Sequence, residues 1–179
     1  MNRFLIPLGG FVLLAIVLAV GLKHSPEKGI IASPLVGKSA PAFTTTLLND
    51  TSAKFDSAEF KGRWTLFNVW GTWCVECRAE HAVLMEMSKQ GVVPIIGLDW
   101  KDKDNEALAV LQQMGNPYAA VAADRDGREA IDWGVYGAPE TFLVNDRGVV
   151  VYKYIGALTR EAWEKQFLPR IPARQAAKS

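Results

Sequence analysis

The chain has only two thiols, Cys74 and Cys77, spaced as Cys74-Val75-Glu76-Cys77. A thiolate is a nucleophile, and two cysteines in reach of each other suit thiol–disulfide exchange. One attacks a substrate disulfide; the other attacks the mixed disulfide that results and releases the substrate. The flanking residues supply a reason for a thiolate to form. Residues 64–70, WTLFNVW, are β-branched and aromatic and predict a buried strand. Gly71-Thr72-Trp73 comes next, and from Cys77 to Gln90 the recurrence of Val83, Leu84 and Met87 predicts a helix that Gly91 ends. The cysteines therefore fall at a helix N-terminus. Partial positive charge and unpaired N–H groups there pull a thiol pKa below about 8.5. By position Cys74 is the exposed attacker and Cys77 the more buried resolver.

Other readings of the pair remain open. A purely structural disulfide across three residues closes too small a loop to constrain much unfolded chain. A metal site would use Cys74, Cys77 and His81, which lies one turn further along the same helix face. A fourth ligand is missing, because the other histidine, His24, sits in a linker-like stretch. The expectation is no metal and no bound cofactor. Glu80 shares the helix face of Cys77 and is a candidate to take the resolving thiol's proton, against a plain solvated residue. Glu76, between the cysteines, opposes thiolate formation and tunes the pair towards a weaker oxidant. Trp73 is a candidate to shield the disulfide and meet partners, against an ordinary core aromatic.

The elements that must position these residues are set by the pattern. Residues 43–48 predict a short first strand and residues 92–98 a strand after the cysteine helix. Residues 104–114 predict a second amphipathic helix, with Ala107, Leu108 and Leu111 on one face. Residues 119–123 predict a strand and residues 129–133 a short helix. Residues 141–144 and 149–154 predict strands joined by Asn145-Asp146-Arg147-Gly148, hence an antiparallel pair. Thr159 can cap a last helix over residues 160–167. The order β-α-β-α-β-(short α)-β-β-α predicts an α/β fold: a mixed sheet flanked by helices, parallel early and antiparallel late.

Residues 4–22 form an uncharged apolar run of 19 residues, nearly long enough as a helix to match a hydrocarbon core of roughly 30 Å. We read residues 1–22 as a membrane anchor, a transmembrane helix, with a cleaved signal peptide as the rival, since Ala19-Val20-Gly21 offers small residues at a cleavage-like spacing. Either one exports the rest of the chain. Residues 23–41, rich in Pro and Gly, read as a linker, residues 42–168 as the domain, and residues 169–179 as a flexible tail. Arg3 is the only charged side chain in residues 1–22, so the remainder balances at 19 basic against 19 acidic residues. That balance carries no nucleic-acid footprint.

The stretch WTLFNVWGTWCVECRAEH resembles the thioredoxin-like fold. Met114-Gly115-Asn116-Pro117-Tyr118-Ala119 and, more specifically, Gly134-Val135-Tyr136-Gly137-Ala138-Pro139-Glu140-Thr141-Phe142-Leu143 narrow the likeness. With the N-terminal run they resemble the membrane-anchored periplasmic thiol:disulfide interchange proteins of cytochrome c biogenesis. That resemblance implies a single-pass inner-membrane protein whose domain faces the periplasm and acts as a reductant. The client would be the disulfide of an apocytochrome c haem-binding CxxCH motif, or a mixed disulfide with a maturation partner. A membrane protein drawing electrons from cytoplasmic thioredoxin would reduce it in turn. The resemblance further implies a cis Pro139 facing the disulfide, with Ala138 offering backbone to an extended substrate, and Val135 and Glu140 lining the approach. Thioredoxins place a buried acid where this chain has Asn68, so the resemblance leaves Glu80 and Glu140 as candidate acids. Rival readings are a general membrane-anchored periplasmic thioredoxin for another client, such as copper-site assembly, and a non-enzymatic metal-binding module. Peroxidase chemistry on the same fold needs a peroxide-reactive cysteine with an activating Thr and Arg, a pattern that WCVEC does not resemble.

Overall fold

A computed structural model of the chain describes residues 5–23 and 33–172. Residues 24–32 of the linker, His24 among them, and residues 173–179 of the tail lie outside the described residues. The chain divides into two units, Met1–Ile30 and Ile31–Ser179. The first contains helix α1, Leu5–Lys23, apolar throughout its described side chains, residues 7–21. Among the described residues no helix is long and apolar enough to cross a membrane.

The second unit is built on a five-stranded sheet of β3 (Thr65–Trp70), β4 (Ile95–Trp100), β5 (Ala120–Asp124), β6 (Glu140–Val144) and β7 (Val150–Ile155), in the order β5-β4-β3-β6-β7. β3, β4 and β5 are parallel, while β6 runs antiparallel to both β3 and β7. This is the mixed sheet that the element order predicts. The reason is covalent: β3 to β4 and β4 to β5 are joined by helices long enough to cross the sheet, α2 (Val75–Gln90) and α3 (Asp104–Met114), whereas β6 and β7 share a tight turn. A short helix, α4 (Arg128–Asp132), and a last helix, α5 (Arg160–Ala162), running into a wider turn at Trp163–Phe167, complete the layers. Thr159 caps α5, its hydroxyl accepting from Ala162 N–H at 3.1 Å.

The short first strand predicted within residues 43–48 is present and lies outside the main sheet. Thr44–Thr46 (β1) pairs with Lys54–Asp56 (β2) in a separate antiparallel ribbon, and β2, with one apolar residue, has no pattern to announce it. β4 starts at Ile95, after Pro94, and extends through Asp99 and Trp100. From Ser33 onward the linker-like stretch hydrogen-bonds along the β6–β7 turn and the start of β7, with Gly37 N–H donating to Val150 O and Ala40 N–H to Gly148 O. Ile171, expected in the tail, is buried.

A core lies on each sheet face. On one, Leu66, Trp70, Ile95 and Leu143 pack under α2, α3 and the Trp163–Phe167 turn through Leu84, Met87, Leu111 and Trp163. On the other, Phe67, Val69 and Phe142 pack with Trp133, Phe43, Phe55 and Phe60, the Phe67 and Trp133 ring centroids 4.2 Å apart. Every residue of β3 is buried. This is the condition under which a strand reads as a continuous apolar run.

Candidate active site

Cys74 and Cys77 form a disulfide at the point where β3 ends and α2 begins, with Cα atoms 5.3 Å apart. Cys74 is the N-cap of α2: its Sγ accepts the Cys77 backbone N–H at 3.0 Å. One of the four N–H groups that a helix start leaves unpaired is thus satisfied by sulfur, the interaction that would stabilise a Cys74 thiolate after reduction. The helix begins at Val75, two residues before the periodic pattern shows it. The expectation of an exposed Cys74 over a buried Cys77 is corrected: the residues are 4% and 6% exposed. Cys74 is covered because its Sγ packs 3.2 Å from the Ala138 carbonyl oxygen. The disulfide-bonded sulfur carries no hydrogen, so only the reduced thiol could donate there.

The Ala138–Pro139 peptide bond is cis, with Pro139 buried and Ala138 half-buried beside the sulfur. Trp73 is 51% exposed, so the core-aromatic reading fails. Its indole N–H donates to Trp100 O at 3.0 Å and its ring meets Trp100 edge-on. Gly71 is required for this arrangement, since a Cβ there would lie 2.6 Å from Trp73 Nε1. Val75, beside Cys74, and Tyr136, two residues before Ala138, are 77% and 72% exposed, whereas Val135 is half-buried and packs against the core that holds Phe67 and Trp133. Glu76 is exposed in the first turn of α2.

Glu80 is 1% exposed, so it is no solvated helix residue. Its Oε1 accepts from Asn68 Nδ2 at 2.8 Å and its Oε2 from Leu158 N–H at 2.7 Å. Burial pushes its carboxyl up to about 7, with the Leu158 and Asn68 hydrogen bonds pulling the other way. Asn68 also donates to Thr141 Oγ1 at 3.1 Å and accepts from the Tyr118 hydroxyl at 2.9 Å. Burial first, then Glu80 and Asp99, hold the Tyr118 phenol well above its usual range. Gly97, the registered neighbour of Asn68, has no side chain because Trp70 Nε1 and the Tyr118 ring would lie 3.0 Å from a Cβ. The buried acid therefore comes from α2, and the strand supplies the amide that holds it.

Glu140 does not join this group. Thr141 points to Asn68, so Glu140, the next residue along the strand, faces the opposite side of the sheet. There it lies 2.8 Å from Lys153 Nζ, fully buried, and accepts the Tyr136 N–H at 3.0 Å, while Lys153 donates to Gly134 O at 2.8 Å. The pair braces the residue 134–136 loop and is not an acid at the disulfide. His81 is committed to Gly115 O at 3.0 Å, and among the described residues no three His, Cys, Asp or Glu side chains cluster to hold a metal ion. Sequence reasoning missed Tyr118 and Thr141 as partners of Asn68. The available signal was a lone amide inside the apolar run WTLFNVW, which burial obliges to find partners.

The sequence matches the Redoxin family over residues 35–167. The chain belongs to the Redoxin family. Among relatives of this redoxin, the thiol:disulfide interchange protein DsbE of Allochromatium vinosum is 43% identical over 177 residues, covering 99% of this chain and 97% of that protein. The DsbE of Vibrio cholerae is 44% identical over 169 residues, covering 92% and 90%. The solved structure of a DsbE-type protein from Chlorobium tepidum superposes with a TM-score of 0.65 at 24% identity, over 75% of this chain and 96% of that one. The fold is thioredoxin-like. This redoxin is a protein-disulfide oxidoreductase of the DsbE type, and Cys74–Cys77 is its redox-active disulfide.

Proposed function

We propose that this redoxin is a membrane-anchored periplasmic reductant of cytochrome c maturation. It reduces the disulfide of an apocytochrome c haem-binding CxxCH motif, or a mixed disulfide with a maturation partner. A membrane thiol reductant fed by cytoplasmic thioredoxin restores its dithiol. The observation that carries the direction is the pair of carboxylates around the cysteines: Glu76 exposed between them and Glu80 buried one turn beyond Cys77. Negative charge beside the pair disfavours the Cys74 thiolate, and a dithiol that is less stabilised passes its electrons on more readily. No bound cofactor is needed, since the electrons reside in the cysteine pair.

In the forward reaction Cys74 S⁻ attacks one sulfur of the client disulfide and the other leaves as a thiolate. Cys77, giving its proton to Glu80, then attacks Cys74 Sγ; the client's second thiolate leaves, and the Cys74–Cys77 bond forms. Trp73 and the Ala138–Pro139 backbone beside Cys74 receive the extended client in the manner of an added strand. The uncharged residues 4–22 support the inner-membrane anchor, with the domain on the periplasmic side.

Cys77→Ser in the full chain tests this reading. The variant retains the attacker and should accumulate a mixed disulfide with a c-type apocytochrome or a maturation protein, while Cys74→Ser traps nothing. The Cys74–Cys77 potential should lie well below the about −120 mV of a strong periplasmic oxidant. A potential at that oxidising end, or capture only of copper-site assembly proteins, overturns the reading. Digestion of intact spheroplasts by added protease should remove the domain; a protected domain overturns the location.

A further inference from the structure

The turn that carries Cys74 is held from outside by the loop after β4. There the chain reverses at Lys101, whose φ of 52° is the one left-handed non-glycine conformation among the described residues. A side chain at such a φ is sterically costly, because Cβ crowds the neighbouring carbonyl. The reversal turns two groups on either side of Lys101 towards the redox turn. The Trp100 carbonyl accepts the Trp73 indole N–H, and the Asp102 carboxylate takes both donors of Thr72, the backbone N–H on Oδ2 at 2.5 Å and the hydroxyl on Oδ1 at 2.8 Å. Arg78 closes the third side, Nη2 donating to Thr72 O at 2.8 Å, and Cys74 N–H donates to Gly71 O at 3.1 Å. Thr72 thus has its N–H, its hydroxyl and its carbonyl all engaged, two residues before the attacking sulfur.

We propose that Asp102 is a positioning residue for the redox pair: through Thr72 it fixes the turn that aims Cys74 Sγ at the Cys77 N–H, and so sets how readily Cys74 ionises in the reduced protein. The proposal rests on the Cys74–Cys77 exchange and on no particular client. The expected effect has an unusual sign. Asp102 is an anion near the thiol, so by charge alone its removal would lower the Cys74 pKa. Removal of the clamp acts the other way, because a loosened turn loses the N–H that stabilises the thiolate.

The test is the pH dependence of alkylation of Cys74 by iodoacetamide in the reduced full-length protein, with thiolate absorbance as a second readout. Asp102→Ala should raise the Cys74 pKa by about one unit and lower alkylation at neutral pH about tenfold. Thr72→Val, which keeps the backbone N–H bond but removes the hydroxyl, should shift it in the same direction by less. The double variant should shift no further than Asp102→Ala alone. Thr72→Ser should titrate like the wild type. A lowered or unchanged Cys74 pKa in Asp102→Ala, with or without a lower melting temperature, overturns the proposal, as do additive shifts in the double variant. Should Asp102→Ala not fold, an unchanged titration in Thr72→Val has the same force.

Discussion

Replacing Glu80 by Gln removes a titrating proton from the interior while keeping the shape of the side chain. The carboxyl sits at about 7 instead of 4.5 because burial disfavours its charged form more than Asn68 and Leu158 stabilise it. A displacement of that size corresponds to about 3 kcal/mol between the two protonation states. The folded-state pKa is raised, so the native protein holds the proton where the unfolded chain has released it. This stabilising contribution is fully present below pH 4.5, declines as pH rises, and is gone above about 7. Urea denaturation of the oxidised protein at pH values from 5 to 8 should therefore show the wild type losing up to about 3 kcal/mol relative to Glu80→Gln across that window. Gln can keep its oxygen on Leu158 N–H and turn its NH₂ to Asn68, whose amide flips to accept it, so the variant should remain folded. In exchange the neutral amide cannot take the Cys77 proton, and resolution of the mixed disulfide should slow by about a hundredfold. A Glu80→Gln protein whose stability follows the wild-type pH dependence, and whose mixed disulfide resolves at the wild-type rate, would refute both the buried titration and its use.

Asp99 makes a second, separable contribution. Burial above all, with Asp102 and Asp104 adding to it and Arg125 opposing, pushes its carboxyl up to about 8 from 3.8. Asp99→Asn should therefore gain stability relative to the wild type as pH rises from 4 through 8, measured by the same denaturation series. Lys153→Met leaves the Glu140 carboxylate buried without its cation and should lose about 3–5 kcal/mol, read from urea midpoints. Adding Glu140→Gln to Lys153→Met should recover most of that loss, and a double variant no more stable than Lys153→Met would show that the ion pair does not brace the loop.

The strand–turn–helix that places Cys74 and Cys77 was legible because its signals are local. An apolar run, two cysteines three residues apart and a glycine stop at Gly91 all lie within 28 residues, from Trp64 to Gly91. Strand pairing was legible where connection length dictates direction, as between β6 and β7. β2 was not, because its place beside β1 comes from the Phe55 ring packing among Phe43 and Phe60 and not from any repeat of its own.

The reagent, a cysteine pair at a helix start, and the kind of sheet that carries it are written in local sequence. The protonation chemistry around the pair arises only when distant segments pack together. Glu80 reaches Asn68 across 12 positions, Leu158 across 78, and Asn68 reaches Tyr118 across 50. Whether an acidic residue in a strand or helix is solvated or buried depends on what covers its face. Spacing along one chain shows which residues share a face. It does not show that α2 and the segment before α5 close over Glu80, or that Glu140 turns to the other side of the sheet and pairs with Lys153. Desolvation raises a carboxyl only where other elements of the fold exclude water, and those elements come from distant parts of the chain.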